Sequence, residues 1–305
     1  MEELALLILG AGWSATFLIP LLQSRNIAFA ATTTTGHAVA DVPTLPFKFD
    51  PSAPEAETRA AIAALPRARH ILITFPLTGT GPSTLLVNTY TETHHTTNPA
   101  PAAGFRFIQL GSAGIWQPDS EYQTTPENNN NPWKTRHSPY TTTNPRAIAE
   151  DELRALGGCV LNLAGLWGGA RTVRSWARRV APTKEAVRGK RSLHLIHGDD
   201  IARVVVAVVE GDDSTSTEGV WERACRGQRW MVTDGFVYDW WALLAGWADQ
   251  GEVSGEVTEQ ARWVFELMRE EGVRGLPRSM EALGRAYDTR EFWEAFGLVP
   301  LRGRV

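Results

Sequence analysis

The chain has 305 residues, 43% apolar and 21% charged, with a net charge of −4. That is enough apolar chain for one extended domain or a domain plus a lobe, and too little charge of either sign to capture nucleic acid or an anionic membrane. Its two cysteines, Cys159 and Cys225, exclude a disulfide framework and a thiolate metal site and fit a reducing compartment, so the cytoplasm is the expected location.

The apolar start, residues 4–22, reads neither as a signal peptide nor as a membrane span. Glu2 and Glu3 stand where a signal peptide needs positive charge, and Gly10, Gly12 and Ser14 interrupt what a span would keep continuous. A strand over 4–9, a turn and a helix over 14–24 account for the same residues. Further along, short apolar runs predict strands over 27–32, 47–49, 70–75, 105–110, 159–164 and 192–196. Helical patterns fall between them at 55–65, 82–95, 145–156, 171–180 and 199–210. This alternation, with several strands hydrophobic throughout, predicts an α/β fold built on a parallel sheet covered on both faces.

Residues 122–144, rich in Thr, Asn and Pro and including the run Asn128 to Asn131, read as a long surface loop, and residues 211–218 (GDDSTSTE) as a polar linker. Beyond it the composition shifts. Trp240, Trp241, Leu244 and Trp247 share one helical face, and Ala261, Val264, Phe265 and Met268 another. The expected division is an α/β domain over 1–211 and a small, Trp-rich, mostly helical C-terminal lobe over 212–305, read as a substrate lobe or lid. Trp221, Trp230, Trp240, Trp241 and Trp247 are expected to fill the core of that lobe, with some of them free to line an apolar or aromatic substrate pocket.

The strongest chemical signal is LLILGAGWSATFLIP, residues 6–20, in which a buried strand runs into Gly10, Ala11 and Gly12 and then a helix. Gly10 permits the tight turn and Gly12 lets the backbone approach a pyrophosphate. Ala15 stands where a third small residue allows close helix packing, and the amides and positive end of the helix, at Trp13 and Ser14, face the phosphates. A competing reading is a glycine turn in a doubly wound protein that binds something else. The second strand ends in Ala31 and Thr32 to Thr35, without the carboxylate that would hold the ribose of NAD. With nothing to repel a 2′-phosphate, Thr32 and Thr33 at the adenosine ribose make NADP the preferred cofactor over NAD, although no Arg is present there; a polar strand end without a ligand role is the alternative.

These motifs, in their order, resemble the extended and atypical short-chain dehydrogenase/reductases, the NAD-dependent epimerase/dehydratase-like group, over about residues 4–210. The likeness rests on GAGWSA, on Thr74, Phe75 and Pro76 after the fourth strand, and on Leu110, Gly111 and Ser112 at the end of the fifth. It continues through Ala149 and Glu150 in a helix, LAGLWGG at 163–169 and LIHGDDI at 195–201. The resemblance implies a Rossmann-type doubly wound sheet with a nicotinamide cofactor across its strand ends. Asp50 would lie near the adenine, Phe75 and Pro76 beside the ribose, and LAGLWGG near the nicotinamide. It also implies a homodimer contact through helices 82–95 and 145–156, against which the polar Thr and His content of the first weighs.

The family's Tyr-x-x-x-Lys is missing. The matching positions hold Thr142 and Arg146. Threonine lacks the acidity and the reach of a phenol, whereas Arg146 stays charged and can hydrogen-bond a ribose or substrate oxygen. Ser112 matches the substrate-orienting serine of the family, with a strand-end turn residue as the bland alternative. Tyr140 is the candidate stand-in for the missing acid, and a surface loop tyrosine is its rival reading.

Other groupings carry less. His94 with His95, and His194 with His197, lack the spacing of a metal site, so no metal is expected. His197 with Asp199 and Asp200 reads as a helix start, and GSAG at 111–114 lacks the spacing of a hydrolase elbow. Eight basic residues between Arg171 and Arg191 face one acid, while six glutamates face two arginines between Glu252 and Glu271, which favours pairing of the two segments over nucleic-acid binding. The functional expectation is an NADP(H)-dependent oxidoreductase or epimerase-like enzyme acting on a small, apolar or aromatic organic substrate. The alternatives are a non-catalytic NAD(P)-binding sensor or scaffold, and a non-redox isomerase using the same cleft.

Overall fold

A computed structural model describes residues 3–95, 104–117, 132–212, 219–249 and 257–303. The asparagine run at 128–131 and most of the 211–218 linker therefore lie outside the described residues.

The first strand, β1 (Leu4–Leu9), has residues 6–9 fully buried. Leu6 and Ile8 point to one face, where they meet Leu18, Ile19 and Leu22 of α1 (Ala15–Ser24); Leu7 and Leu9 point to the other, toward Ile62, Leu86 and Tyr90. A strand apolar on both faces can only sit in the middle of a covered sheet. The chain continues through β2 (Phe29–Thr33), β3 (Leu45–Pro46), α2 (Glu55–Ala63), β4 (Ala68–Ile73), α3 (Pro82–His94), β5 (Arg106–Ser112), α4 (Pro145–Ala155), β6 (Cys159–Leu163), α5 (Gly198–Glu210) and β7 (Arg229–Val232). All seven strands are parallel, in the order β7-β6-β5-β4-β1-β2-β3. The order reverses at β1, placing the switch point at the glycine turn. Helices α1 and α5 cover one face, and α2, α3 and α4 the other.

Four expectations are revised. The third strand pairs through Leu45–Pro46 rather than 47–49; it is a sheet edge, where a proline without an N–H is tolerated. Residues 192–196 do not form one strand of the main sheet. Ser192–Leu193 pairs antiparallel with Tyr238–Asp239, and Leu195–His197 pairs parallel with Gly165–Trp167. The helix expected over 171–180 is a 3₁₀ turn, Val173–Trp176, followed by one α turn, Ala177–Val180. Finally, Trp221 and Trp230 pack into the core under α5 instead of the lobe, because β7 returns to the main sheet after the change of composition.

The lobe core gathers Val173, Val187, Leu195, Tyr238, Trp240 and Trp241 against Val264 and Leu267, with Trp247 half-buried beside them. Trp240 and Trp241 open α6 (Trp240–Gly246), and Val264 and Leu267 belong to α7 (Glu259–Glu270). The Trp241 indole donates to the Val187 carbonyl at 2.8 Å, and the buried Arg278–Asp239 pair closes at 2.7 Å over the same ring. The basic and acidic segments pair within the chain: Lys184 meets Glu266 and Glu270, and Arg188 meets Glu270 and Glu271. The last helix, α8 (Arg290–Phe296), packs on β7 and α5. Among the described residues no helix is long and apolar enough to cross a membrane.

Candidate active site

The glycine turn is built from its own backbone. Gly10 has a φ of +86°, which favours glycine, and a methyl there would lie 2.9 Å from Thr74 Oγ1 and 3.0 Å from Phe75 Cδ1. Gly12 differs: the nearest atom to an added Cβ is 3.9 Å away, so its face is open. The turn consumes most of its own donors. Gly10 N–H donates to Thr32 Oγ1 at 3.0 Å, Ala11 N–H to Thr32 O at 2.6 Å, and Gly12 N–H to Gly10 O at 2.7 Å. The Thr74 hydroxyl donates to the Gly10 carbonyl. The amides of Trp13 and Ser14 have no partner among the described residues, and they stand at the start of α1, whose N-terminal end carries partial positive charge.

At the end of β2, Thr32 is fully buried and holds the turn, while Thr33 is buried with its hydroxyl 2.9 Å from that of Thr44. The exposed hydroxyls at this strand end are those of Thr34 and Thr35, the latter 3.0 Å from His37 Nδ1. Asp50 accepts from the Ser52 amide at 2.9 Å and hydroxyl at 2.6 Å, and these bonds hold its carboxyl below the usual range. The Phe49 and Phe75 rings stack at 6.0 Å, and Pro76 is exposed beside them.

At the end of β5, Ser112 Oγ accepts from Gly114 N–H at 3.1 Å, which leaves its own proton to donate. Beneath it lies a buried polar knot that the sequence reading missed. Glu150 is fully buried; its carboxylate accepts from the Ser112 amide at 3.2 Å, Asn162 Nδ2 at 2.8 Å and Arg229 at 3.2 Å. Burial raises its pKa against these lowering partners. Gly111 has no room for a side chain here, since a Cβ would fall 2.5 Å from Glu150 Oε1. The available signal was a glutamate among the apolar positions of α4 and an arginine opening the apolar strand RWMV.

Tyr140 packs on the cluster of Ala113, Ile115 and Trp116 just after Ser112, but its hydroxyl is engaged elsewhere. Its hydroxyl donates to Asp151 at 2.8 and 2.9 Å, the Arg229 guanidinium lies 4.4 Å from its ring, and desolvation with the Asp151 bond raises its pKa. A phenol so held is a poor acid. Tyr140 and Thr142 line a separate groove of about 380 Å³ with Arg136 and Arg154. Arg146 sits in the first turn of α4; its Nε is buried without a hydrogen-bond partner. His197 caps α5 by accepting from Asp199 N–H at 3.1 Å, and burial lowers its pKa.

A cavity of about 1270 Å³ lies where β7 meets the C-terminal segment and is walled by Trp133, Asp234, Phe236, Tyr287 and Trp293. β6 and β7 are the two strands beyond β5, so this wall starts ~10 Å from the Ser112 strand end. Tyr287 links the two places: its hydroxyl donates to Ala113 O at 3.2 Å, and its amide donates to His194 Nε2 at 3.1 Å. Burial pushes His194 down to about 3, keeping it neutral. No group of three His, Cys, Asp or Glu suited to a metal ion occurs among the described residues.

No protein-family model matches the chain, and no curated protein matches it in sequence. Solved structures match it over nearly the whole length. A Methylobacillus flagellatus protein described as an NAD-dependent epimerase/dehydratase is 12% identical, with 97% of each chain covered and a TM-score of 0.53. Vestitone reductase from alfalfa is 14% identical over 98% of this chain and 93% of that one, with a TM-score of 0.57. UDP-glucose 4-epimerase from Bifidobacterium longum, solved with NAD+ and UDP, is 13% identical over 98% and 94%, with a TM-score of 0.53. The chain has the fold of the NAD-dependent epimerase/dehydratase and short-chain dehydrogenase/reductase proteins.

Proposed function

We propose that this protein binds a nicotinamide dinucleotide across the carboxyl ends of β1, β2, β4 and β5 and acts as an NADP(H)-dependent oxidoreductase or epimerase-like enzyme on a small organic substrate. The observation that carries this reading is the glycine turn at the switch point, where the open face of Gly12 and the unpartnered amides of Trp13 and Ser14 leave room and donors for a phosphate. Asp50 and the Phe75–Pro76 corner would border the adenosine. The exposed Thr34 and Thr35, with no carboxylate beside them in the chain, favour NADP over NAD, with Thr32 holding the turn and Thr33 bonded to Thr44 behind them.

When bound, the nicotinamide supplies hydride exchange. The chain's own part is orientation and polarisation. Ser112 donates its hydroxyl proton to a substrate oxygen, and Arg146 contributes a fixed positive charge that does not transfer its proton at neutral pH. The 1270 Å³ cavity and its aromatic wall suit an apolar or aromatic substrate held between the sheet and the C-terminal lobe, residues 212–305 less the returning β7.

Titration of the purified protein with NADPH and NADH, read by tryptophan fluorescence with Gly12→Asp as control, tests the reading. Binding lost in Gly12→Asp supports it; a folded protein that binds neither cofactor overturns it. A second reading, a non-catalytic sensor, is favoured by one observation: Thr142 and Tyr140 line an outer groove and Tyr140 is locked to Asp151, so neither replaces the missing acid at Ser112. It predicts cofactor binding with no turnover on a broad carbonyl and alcohol panel.

A further inference from the structure

Arg171 is an exposed cation without an acid beside it, facing the glycine turn. Its guanidinium lies 4.7 Å from the centre of the Trp13 ring, and among the described residues its side chain has no hydrogen bond or ion pair. Of its basic neighbours along the chain, Arg174 pairs with Asp249 at 3.2 Å, Lys184 with Glu266 and Glu270, Arg188 with Glu270 and Glu271, and Arg191 with the Ala282 carbonyl at 3.0 Å; Arg178 and Arg179 are exposed like Arg171, but only Arg171 is held against the glycine turn.

The place it occupies is constructed. Gly168 and Arg171 exchange backbone hydrogen bonds of 2.9 and 3.1 Å across a tight antiparallel bridge. The Gly168 carbonyl then accepts the Trp13 indole N–H at 3.1 Å, which ties this bridge to the glycine turn 155 residues earlier. Gly168 has a φ of +114°, and a Cβ there would lie 2.2 Å from His197 Nε2, so only glycine lets the bridge close against His197.

The turn also lacks donors for what it would hold. The amides of Gly10, Ala11 and Gly12 are satisfied internally, which leaves two, those of Trp13 and Ser14, for a group carrying two negative charges. A guanidinium offers paired donors matched to phosphate oxygens, and stacking on an indole fixes its plane without neutralising it.

We propose that Arg171 is an anion clamp that completes the pyrophosphate subsite, closing over the diphosphate from the lobe side while the Trp13 and Ser14 amides hold it from the turn. This rests on the dinucleotide reading above. The source of the diphosphate is the cofactor, and free inorganic pyrophosphate serves as the probe that separates the two claims.

The test compares the full-length protein with Arg171→Gln and Arg171→Lys, titrated with NADPH, NADH and inorganic pyrophosphate at low and high salt and followed by tryptophan fluorescence. Thermal melting confirms that each variant is folded. Arg171→Gln is expected to weaken dinucleotide binding on the order of tenfold or more and to flatten its salt dependence, with Arg171→Lys recovering part of the affinity. Equal affinity and equal salt dependence in wild type and Arg171→Gln would overturn the clamp. Pyrophosphate binding that Arg171→Gln removes, in a protein that binds neither dinucleotide, would uphold the clamp and overturn the cofactor reading. A folded wild type that binds neither dinucleotide nor pyrophosphate overturns both.

Discussion

Glu150 and Arg229 meet at 3.2 Å in the core behind Ser112, the carboxylate fully buried and the guanidinium nearly so. Arg229 also reaches Asp151 at 3.1 Å, so one cation serves two acids of the same helix. This pair supports the floor of the candidate site, because the other Glu150 oxygen accepts the Ser112 amide.

Removing one partner of such a pair leaves an uncompensated buried charge. Glu150→Ala is expected to lower unfolding free energy by about 3–5 kcal/mol, and Glu150→Gln by less, since an amide keeps the shape and part of the hydrogen bonding. Urea denaturation of the three proteins checks this; equal midpoints would remove the pair from any account of stability.

The two glycines of the turn separate under one substitution. Gly10→Ala meets both a left-handed backbone and the Thr74 and Phe75 side chains, and should cost about 1–3 kcal/mol as well as ligand affinity. Gly12→Ala meets open space, so the melting temperature should hold while NADPH or NADH affinity falls. A loss of stability in both, or in neither, contradicts the geometry.

Asp234, on the wall of the large cavity, is buried, and burial pushes its carboxyl up to about 6 although Tyr238 donates to it at 2.7 Å. Because the folded value lies above the unfolded one, the stability contributed by the neutral carboxyl is complete below about pH 4 and is lost as pH rises through 6. Asp234→Asn stays neutral throughout. The stability difference should therefore move in favour of the variant by roughly 2–3 kcal/mol between pH 4 and 7. A difference that does not change with pH would show that Asp234 titrates normally.

Tyr140→Phe removes a hydroxyl that donates to Asp151. We expect dinucleotide affinity and any carbonyl reduction to persist, with stability lowered by about 1 kcal/mol. Abolished turnover in a variant of wild-type stability would return Tyr140 to the chemistry.

How much was legible follows from the range of each interaction. The strand of residues 4–9, its turn and α1 were readable because continuous apolarity, two glycines and a helical repeat are local properties of a short segment. Thr32 and Thr33 were readable as a polar strand end, but the sequence could not show that their hydroxyls face the turn and Thr44 while Thr34 and Thr35 face out. The β7 strand was obscured because its composition, RWMV after a polar linker, matches the Trp-rich lobe; only pairing with β6 makes it part of the sheet.

The sequence by itself determined the alternation of strand and helix, the glycine turn at the head of α1, and the residues Thr142 and Arg146 at the positions where the resemblance expects tyrosine and lysine. Each is set by residues adjacent in the chain. Tertiary structure alone decided that Glu150 faces Arg229, that Tyr287 reaches the carbonyl after Ser112, and that Arg171 stacks on Trp13. These partners lie tens to hundreds of residues apart, and no local propensity encodes a contact that exists only once both faces of the sheet are covered.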